Sequence, residues 1–179
     1  MAMKAGLQLW SVRQSMEQDV MRTLEGVAQA GYKNIELGNH VAHRDFGCGF
    51  GISAKDFKKK CDELGLKVIG SHVEPSDVPG DPTGVYADDY KLGQLMDYYN
   101  ELGALGFGLP MVFWPDLETL KVRCDVMNKA GKKMKEHGLK FYYHNHFHEF
   151  SYLGDKMVWD LIAENTDPDY VSLELDTYW

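Results

Sequence analysis

The segment 142–150, YYHNHFHEF, concentrates three histidines and a glutamate within six residues. His144 and His146 are two residues apart, so on a β-strand their side chains point to the same face. Imidazole and carboxylate groups bind divalent metals, and imidazole also serves as a general base near neutral pH. The segment therefore predicts a metal or acid–base site, to which Glu149 could fold back from the following loop. The alternative is a hydrogen-bonded network that only fastens the loop.

A second candidate lies in the segment 173–179, LELDTYW, where Asp176 follows an apolar strand and precedes two aromatic residues. A carboxylate in that setting is poorly solvated unless it is paired or binds a cation. Asp176 is therefore a candidate metal ligand, and capping of a following helix is the alternative. Glu174 points the same way as Asp176 and is expected deeper in the sheet, as a packing or supporting group.

Other predicted strands also end in polar or aromatic side chains. Glu36 and His72 belong to the second and third predicted strands, and we expect them to line one shared mouth and contact a ligand. Trp10 and Trp114 could stack on a sugar ring face, or could simply pack at the rim. The loop that contains His40 and His43 is rich in glycine, and no chemistry is assigned to it.

A repeat along the chain supplies the elements that position these residues. Four glycines, each followed by a short apolar run, recur every 34 to 38 residues, at Gly31, Gly65, Gly103 and Gly138. A glycine that ends a helix before a strand is a common helix–strand junction. Ser53 with Asp56 predicts a helix N-cap. The pattern predicts five helices between six short strands near 5–12, 34–39, 67–73, 108–114, 140–146 and 170–176.

Alternating strands and helices of this period indicate a parallel sheet with crossover helices. Residues 10–18 after the first strand contain no glycine, which argues against a dinucleotide-binding doubly wound sheet. Polar residues at the end of every strand instead favour a barrel, whose site is assembled from all strand ends. We predict an α/β fold, an incomplete (β/α)8 TIM barrel with about six of eight parallel strands, forming a single domain over residues 1–179 that lacks the last two βα units.

Composition limits the partners. The formal net charge of -8 and pI of about 5.3 argue against a nucleic-acid partner. No apolar stretch is long enough to span a bilayer and no signal peptide is evident, so no membrane partner is expected. Three widely spaced cysteines form no disulfide pattern, which favours the cytoplasm; Cys61 and Cys124 are expected in the core.

The phrases GLKVIGSHV, YHNHFHEF, ENTDPDYV and LELDTYW resemble the sugar phosphate isomerase/epimerase family, the xylose isomerase-like barrels, and its YHNHxxEF subgroup. The resemblance implies a metal-dependent enzyme that holds Mn²⁺, Mg²⁺, Co²⁺ or Zn²⁺ through a carboxylate after strand five, an aspartate after strand six, and a histidine and a glutamate after strands seven and eight. Asp176 matches the strand-six ligand. At strand five, either His144 replaces the carboxylate or Glu149 reaches back.

The same resemblance makes His146 a candidate base or substrate contact, and it places Glu36 and His72 where relatives contact substrate. Glu149 is a further candidate catalytic residue, and Trp114 and His144 are further candidate substrate contacts. The resemblance implies isomerisation or epimerisation of a sugar or keto-sugar through an enediolate. The alternatives are a keto-glycoside lyase or hydrolase, an abasic-site endonuclease, and a non-catalytic sugar-binding fragment.

The strand-seven and strand-eight ligands have no counterpart before Trp179. We therefore expect the 179-residue chain by itself to bind metal poorly and to lack full activity. Open sheet edges favour pairing, so a homo-oligomer is also expected.

Overall fold

The computed structural model describes residues 4–41, 51–74 and 83–179, with the backbone alone for 39–41. The strands are β1 Gly6–Gln8, β2 Asn34–Val41, β3 Lys67–Glu74, β4 Gly106–Leu109, β5 Lys140–His144, β6 Tyr152–Leu153, β7 Lys156–Met157 and β8 Val171–Glu174. The α-helices are α1 Arg13–Gln18, α2 Val20–Gln29, α3 Ala54–Leu64, α4 Gly84–Ala87, α5 Asp89–Leu102, α6 Leu117–Glu136 and α7 Val158–Asn165. Short 3₁₀ helices cover Leu9–Val12 and His148–Phe150.

Six strands form one parallel sheet in the order β1-β2-β3-β4-β5-β8, while β6 and β7 form a separate antiparallel pair. Sheet neighbours follow chain order, as in a barrel and unlike a doubly wound sheet, where the order reverses at a switch point. The predicted fold class, a barrel-type α/β chain with six parallel strands, is confirmed. Parallel strands bring their carboxyl ends to one edge, where His144 ends β5 and Asp176 follows β8, while Glu36 and His72 lie within β2 and β3.

The glycine repeat is confirmed as the helix–strand junction. Gly65 and Gly103 adopt left-handed φ angles of 66° and 76°, where they cap α3 and α5. The Ser53 cap is also confirmed, because its hydroxyl oxygen accepts from the Asp56 backbone N–H at 3.1 Å. These local signals fix where each helix stops, and so they fix where the following strand enters the sheet.

The predicted limits of four strands are wrong. Strand five, predicted to reach residue 146, ends at His144, so His146 lies beyond the strand. Strand one gives way to a 3₁₀ turn at Leu9, and Gly38 accommodates this turn because a Cβ there would lie 2.9 Å from the Trp10 nitrogen. Strand four ends at Leu109 because Pro110 has no N–H for the ladder. The sixth predicted strand, which is β8, ends at Glu174. The backbone N–H of Asp176 donates to the Asn145 side chain and not to a neighbouring strand.

The core lies between the sheet and the helices that cover its outer face. Tyr99 of α5 stacks on Phe107 of β4 with ring centroids 4.6 Å apart, and both are fully buried. Cys61 and Cys124 are buried among these apolar groups, as predicted. The sheet therefore stands on a packed layer that holds its strand ends in fixed positions.

Of the helices in the described residues, none has both the length and the apolar character needed to cross a membrane.

Candidate active site

A cavity of about 270 Å³ opens where the strands of the large sheet end. That volume is close to the lower end of the range for small-molecule sites. It is lined by Gln8, Trp10, Gly38, His72, Glu74, Pro110, Met111, His144, His146, Asp176 and Trp179. The sequence-predicted residues His72, His144, His146 and Asp176 therefore meet at one mouth, although they are spread over more than a hundred positions of the chain.

A layer of polar side chains lies across the strands at this mouth. His72 Nε2 is 2.9 Å from Glu174 Oε2, and His72 Nδ1 is 3.2 Å from Gln8 Nε2. Glu36 accepts from the Tyr142 hydroxyl at 2.7 Å and from Gln8 at 3.3 Å. These five residues come from β1, β2, β3, β5 and β8, so the layer ties the large sheet together through side chains.

Burial and charge set the ionisation of this layer. Burial, with the negative charge of Glu174 nearby, raises the pKa of Glu36. Burial opposes the charge on His72, but the hydrogen bond to Glu174 and the charge of Glu36 outweigh it, so the His72 pKa is raised. For Glu174, burial is outweighed by the hydrogen bond and charge of His72, which lower its pKa. The His72–Glu174 pair is therefore the charged centre of the layer.

His144 stands between two carboxylates. Its Nε2 lies 3.5 Å from Asp176 Oδ2, and its Nδ1 lies 3.7 Å from Glu174 Oε2. Burial and the neighbouring His72 lower its pKa to about 4, so the ring is neutral and keeps a free lone pair at neutral pH. Among the described residues, ligand atoms of His72, His144 and Glu174 all lie within 4.8 Å of one another, a grouping able to hold a metal ion.

His146 is the second imidazole of the cavity. Its ring centroid lies 5.1 Å from that of His144 and 5.2 Å from the Trp179 ring. Burial lowers its pKa, so it too is neutral near pH 7 and can accept a proton. Its Nδ1 is buried without a hydrogen-bond partner, as is Nδ1 of His144. Orphaned buried polar atoms are rare in folded proteins and call for a partner.

Glu149 lies elsewhere. It is fully buried, and its carboxylate accepts from the Tyr143 hydroxyl, from the His146 backbone N–H at 2.9 Å and from His148, whose Nε2 is 3.1 Å away. Burial is outweighed by the hydrogen bonds from His148 and Tyr143, and its pKa is lowered. These three donors hold the Glu149 carboxylate inside the loop. This position is at odds with the metal-ligand and catalytic roles predicted for Glu149.

Trp114 is not brought to the mouth either. It is 8% exposed, and its indole N–H donates to the Tyr143 hydroxyl at 3.3 Å. It lines a separate depression together with Phe113, Pro115, Arg123, His148 and Ser151. Trp10 and Trp179 line the main cavity, whereas Trp114, the predicted substrate contact, does not.

Sequence reasoning assigned no site role to Gln8, Tyr142, Trp179 or Asn145, and it placed Glu174 only as a supporting group. Gln8 ends β1 and Glu174 ends β8, so the strand-end rule could have selected both. Tyr142 lies mid-strand, and only the structure shows its hydroxyl reaching Glu36. The side chains of His40 and His43 lie outside the described residues.

Comparison with solved structures places the chain among known proteins. It is 32% identical to a sugar phosphate isomerase/epimerase from Parabacteroides distasonis, with a TM-score of 0.84, over 98% of this chain and 66% of that one. A second sugar phosphate isomerase/epimerase from the same organism is 30% identical, with a TM-score of 0.77, over 99% and 70%. The chain thus spans about two thirds of the length of these relatives.

An AP endonuclease of family 2 from Brucella melitensis has a TM-score of 0.70 at 12% identity, over 98% of this chain and 69% of that one; this likeness shows the fold alone. No protein-family model matches the chain, and no curated protein matches it. The two Parabacteroides structures combine the same fold with substantial sequence identity over nearly all of this chain. The chain belongs to the sugar phosphate isomerase/epimerase family.

Proposed function

We propose that the chain carries the metal-binding and proton-transfer groups of an enzyme that isomerises or epimerises a sugar or keto-sugar. The observation that carries the proposal is the meeting of His144, His146 and Asp176 in one cavity at the strand ends. Two neutral imidazoles beside carboxylates combine a metal-ligand set with a base, which this chemistry requires. Membership of the family agrees with this reaction class.

The residues fit a divalent cation at His144 and Asp176. The two facing atoms are 3.5 Å apart, too far for a good hydrogen bond but close to the ~3.4 Å that separates two ligands on bonds of about 2.1 Å at a tetrahedral angle. Glu174 lies beside the other ring nitrogen of His144, as a carboxylate commonly does for a metal-bound histidine. This mixed imidazole and carboxylate donor set suits Zn²⁺, Co²⁺ and Mn²⁺ better than Mg²⁺, which prefers octahedral oxygen ligands.

The reaction would proceed by transfer of a proton next to a carbonyl. His144 and Asp176 would hold the cation, which would supply Lewis-acid polarisation that makes the C–H group next to the carbonyl more acidic. His146, neutral and facing the cavity, takes that proton. Return of this proton from His146 to the neighbouring carbon gives an isomer, whereas an epimer requires a second acid that protonates the same carbon from the opposite face.

Substrate contacts come from the polar layer and the two tryptophans. Gln8 and His72 line the cavity floor and can bond sugar hydroxyls, while Glu36 holds Gln8 in place from behind. Trp10 and Trp179 are 44% and 47% exposed at the mouth. Arg13 covers one face of the Trp10 ring, so the other face is the one we propose for the C–H face of a sugar. We propose a small sugar as the partner of this cavity.

The test is metal-dependent sugar binding, measured by Mn²⁺-induced broadening of the proton resonances of ketoses. We expect broadening in the presence of the chain and its loss in Asp176→Ala. Asp169→Ala is the matched control, because Asp169 is an exposed carboxylate before the opposite end of β8. Sugar binding that needs no metal would instead support a sugar-binding module and contradict the proposal.

Proton abstraction is tested separately, by deuterium incorporation next to the sugar carbonyl in D2O. We expect slow exchange that requires the metal and is lost in His146→Gln. Exchange that survives this substitution would remove His146 as the base, whereas metal-dependent broadening without any exchange would contradict the reaction class.

A further inference from the structure

We propose that Asn145 is a positioning residue whose buried amide fixes the backbone of Asp176 and thereby sets the distance between the Asp176 carboxylate and His144. The proposal rests on the proposed function, in which His144 and Asp176 hold the cation. Asn145 lies between the two cavity histidines in the chain, but it does not line the cavity, and its side chain is fully buried.

The Asn145 side chain makes two hydrogen bonds to the backbone of Asp176, and we call this pair of bonds the clamp. Asn145 Oδ1 accepts from the Asp176 backbone N–H at 2.8 Å, and Asn145 Nδ2 donates to the Asp176 carbonyl at 3.1 Å. The backbone partners also fix the orientation of the amide, because a flipped amide would place donor against donor and acceptor against acceptor. The geometry thus requires both the oxygen and the nitrogen of an asparagine side chain.

The clamp takes the place of backbone ladder bonds where the pairing of β5 with β8 ends. The β5–β8 ladder ends with the pair His144 and Glu174, two residues before Asp176. Without a further backbone rung, the chain after β8 would be free to move relative to β5. The Asn145 side chain supplies the missing pair of bonds, so Asp176 stays in register with the strand that carries His144.

The carboxylate of Asp176 is then oriented by its own turn. Oδ1 accepts from the Tyr178 backbone N–H at 2.8 Å, which leaves Oδ2 to face His144 Nε2 at 3.5 Å. Asn145 directly follows His144 in the chain. One dipeptide therefore carries one ligand and the anchor of the other, and a shift of Asn145 changes the spacing between the two ligands.

A purely mechanical role, fastening β5 to β8 for stability alone, is the competing explanation. Asn128 provides a control because its half-buried amide also bonds two backbone groups, those of Asp167 and Asn165, before the opposite end of β8. Its Oδ1 accepts from the Asp167 backbone N–H at 2.7 Å and its Nδ2 donates to the Asn165 carbonyl at 3.0 Å. Loss of either clamp should lower stability, but only loss of the Asn145 clamp should alter the metal site.

The first measurement uses the metal-free chain and records amide hydrogen exchange by NMR. We expect Asn145→Ala to expose the Asp176 amide to exchange while the Asp167 amide stays protected, and Asn128→Ala to do the reverse. Unchanged protection of Asp176 in Asn145→Ala would overturn the clamp, whatever the metal does.

The second measurement titrates Zn²⁺ and follows the imidazole resonances of His144, which reports even weak affinities. Asn145→Ala should weaken binding about 10–100-fold, the usual effect of removing a group that orients a metal ligand. Asn128→Ala should bind Zn²⁺ like the unchanged protein.

Equal Zn²⁺ affinity in Asn145→Ala and the unchanged protein would overturn the positioning role. An equal loss in Asn128→Ala would also overturn it, because the effect would then follow general stability. A failure of the proposed function looks different: Asp176→Ala would bind Zn²⁺ as tightly as the unchanged protein, and the ligand assignment would fall while amide exchange still reported on the clamp.

Discussion

Glu149 should support the loop after β5. Replacing it should lower the free energy of unfolding while leaving the affinity for metal close to that of the unchanged protein. Its side chain is fully buried and accepts from Tyr143, from the His146 backbone N–H and from His148. Glu149→Ala leaves the Tyr143 hydroxyl and the His146 N–H without this acceptor inside the protein, whereas His148 Nε2 keeps the Val112 carbonyl at 2.8 Å. Each orphaned buried donor costs about 1–3 kcal/mol.

The expected loss in the free energy of unfolding for Glu149→Ala is about 3–5 kcal/mol, in line with the removal of one partner from a buried pair. For a chain of 179 residues, each kcal/mol lowers Tm by roughly 2–4 °C, so Tm should fall by roughly 6–20 °C. Urea unfolding and thermal scans of the metal-free chain measure both quantities. Glu149→Gln, which keeps one acceptor, should lose less.

Zn²⁺ titration of Glu149→Gln below its Tm decides between support and ligation. Support predicts reduced stability with Zn²⁺ affinity close to that of the unchanged protein. A variant of undiminished stability that has lost Zn²⁺ affinity would refute this reasoning and restore Glu149 as the strand-five ligand.

Three further predictions concern ionisation and packing. The His144 imidazole should titrate with a midpoint of about 4 by NMR in the metal-free chain, and a midpoint near 6.5 would contradict its burial. Glu149 has a lowered pKa, so its contribution to stability is present above pH ~4.5 and is lost as the pH falls through its pKa in the folded protein. His148 has a raised pKa, so its contribution to stability is present below pH ~6.5 and is lost as the pH rises through its pKa in the folded protein. The stability difference between the unchanged protein and Glu149→Gln should therefore be largest between those two pH values, and a difference independent of pH would count against the ion pair. Gly108→Ala should prevent folding or lower Tm by more than 10 °C, roughly the effect of 3–5 kcal/mol, because its Cβ would overlap the carbonyl oxygen of Tyr142 in β5; a Tm within a few degrees of the unchanged protein would contradict this.

The sequence predicted the fold because its local signals agree with one another. Gly65 and Gly103 end helices, Ser53 begins one, and the apolar runs between such signals can only be buried strands. Strand ends were less predictable, because they depend on contacts with distant residues. Pro110 was a visible signal that strand four stops early, whereas the packing of Trp10 against Gly38 was not visible in the sequence.

The candidate site was predicted in part for the same reason. His144, His146 and Asp176 follow strands, so topology alone brings them together. The direction of Glu149 could not be predicted, because a loop residue with no regular structure can turn toward the cavity or toward the core, and only its contacts with Tyr143 and His148 show that it faces the core. The role of Asn145 depends on hydrogen bonds across 31 residues of chain, which no local pattern encodes.

The most direct test of the central claim is to locate a divalent cation in crystals of the chain soaked with Mn²⁺ or Zn²⁺, using anomalous diffraction. The account predicts an anomalous peak within bonding distance of His144 Nε2 and an Asp176 carboxylate oxygen, and loss of that peak in Asp176→Ala. A chain with no peak in this cavity, or with a peak that Asp176→Ala leaves in place, would contradict the claim that these strand ends form the metal site.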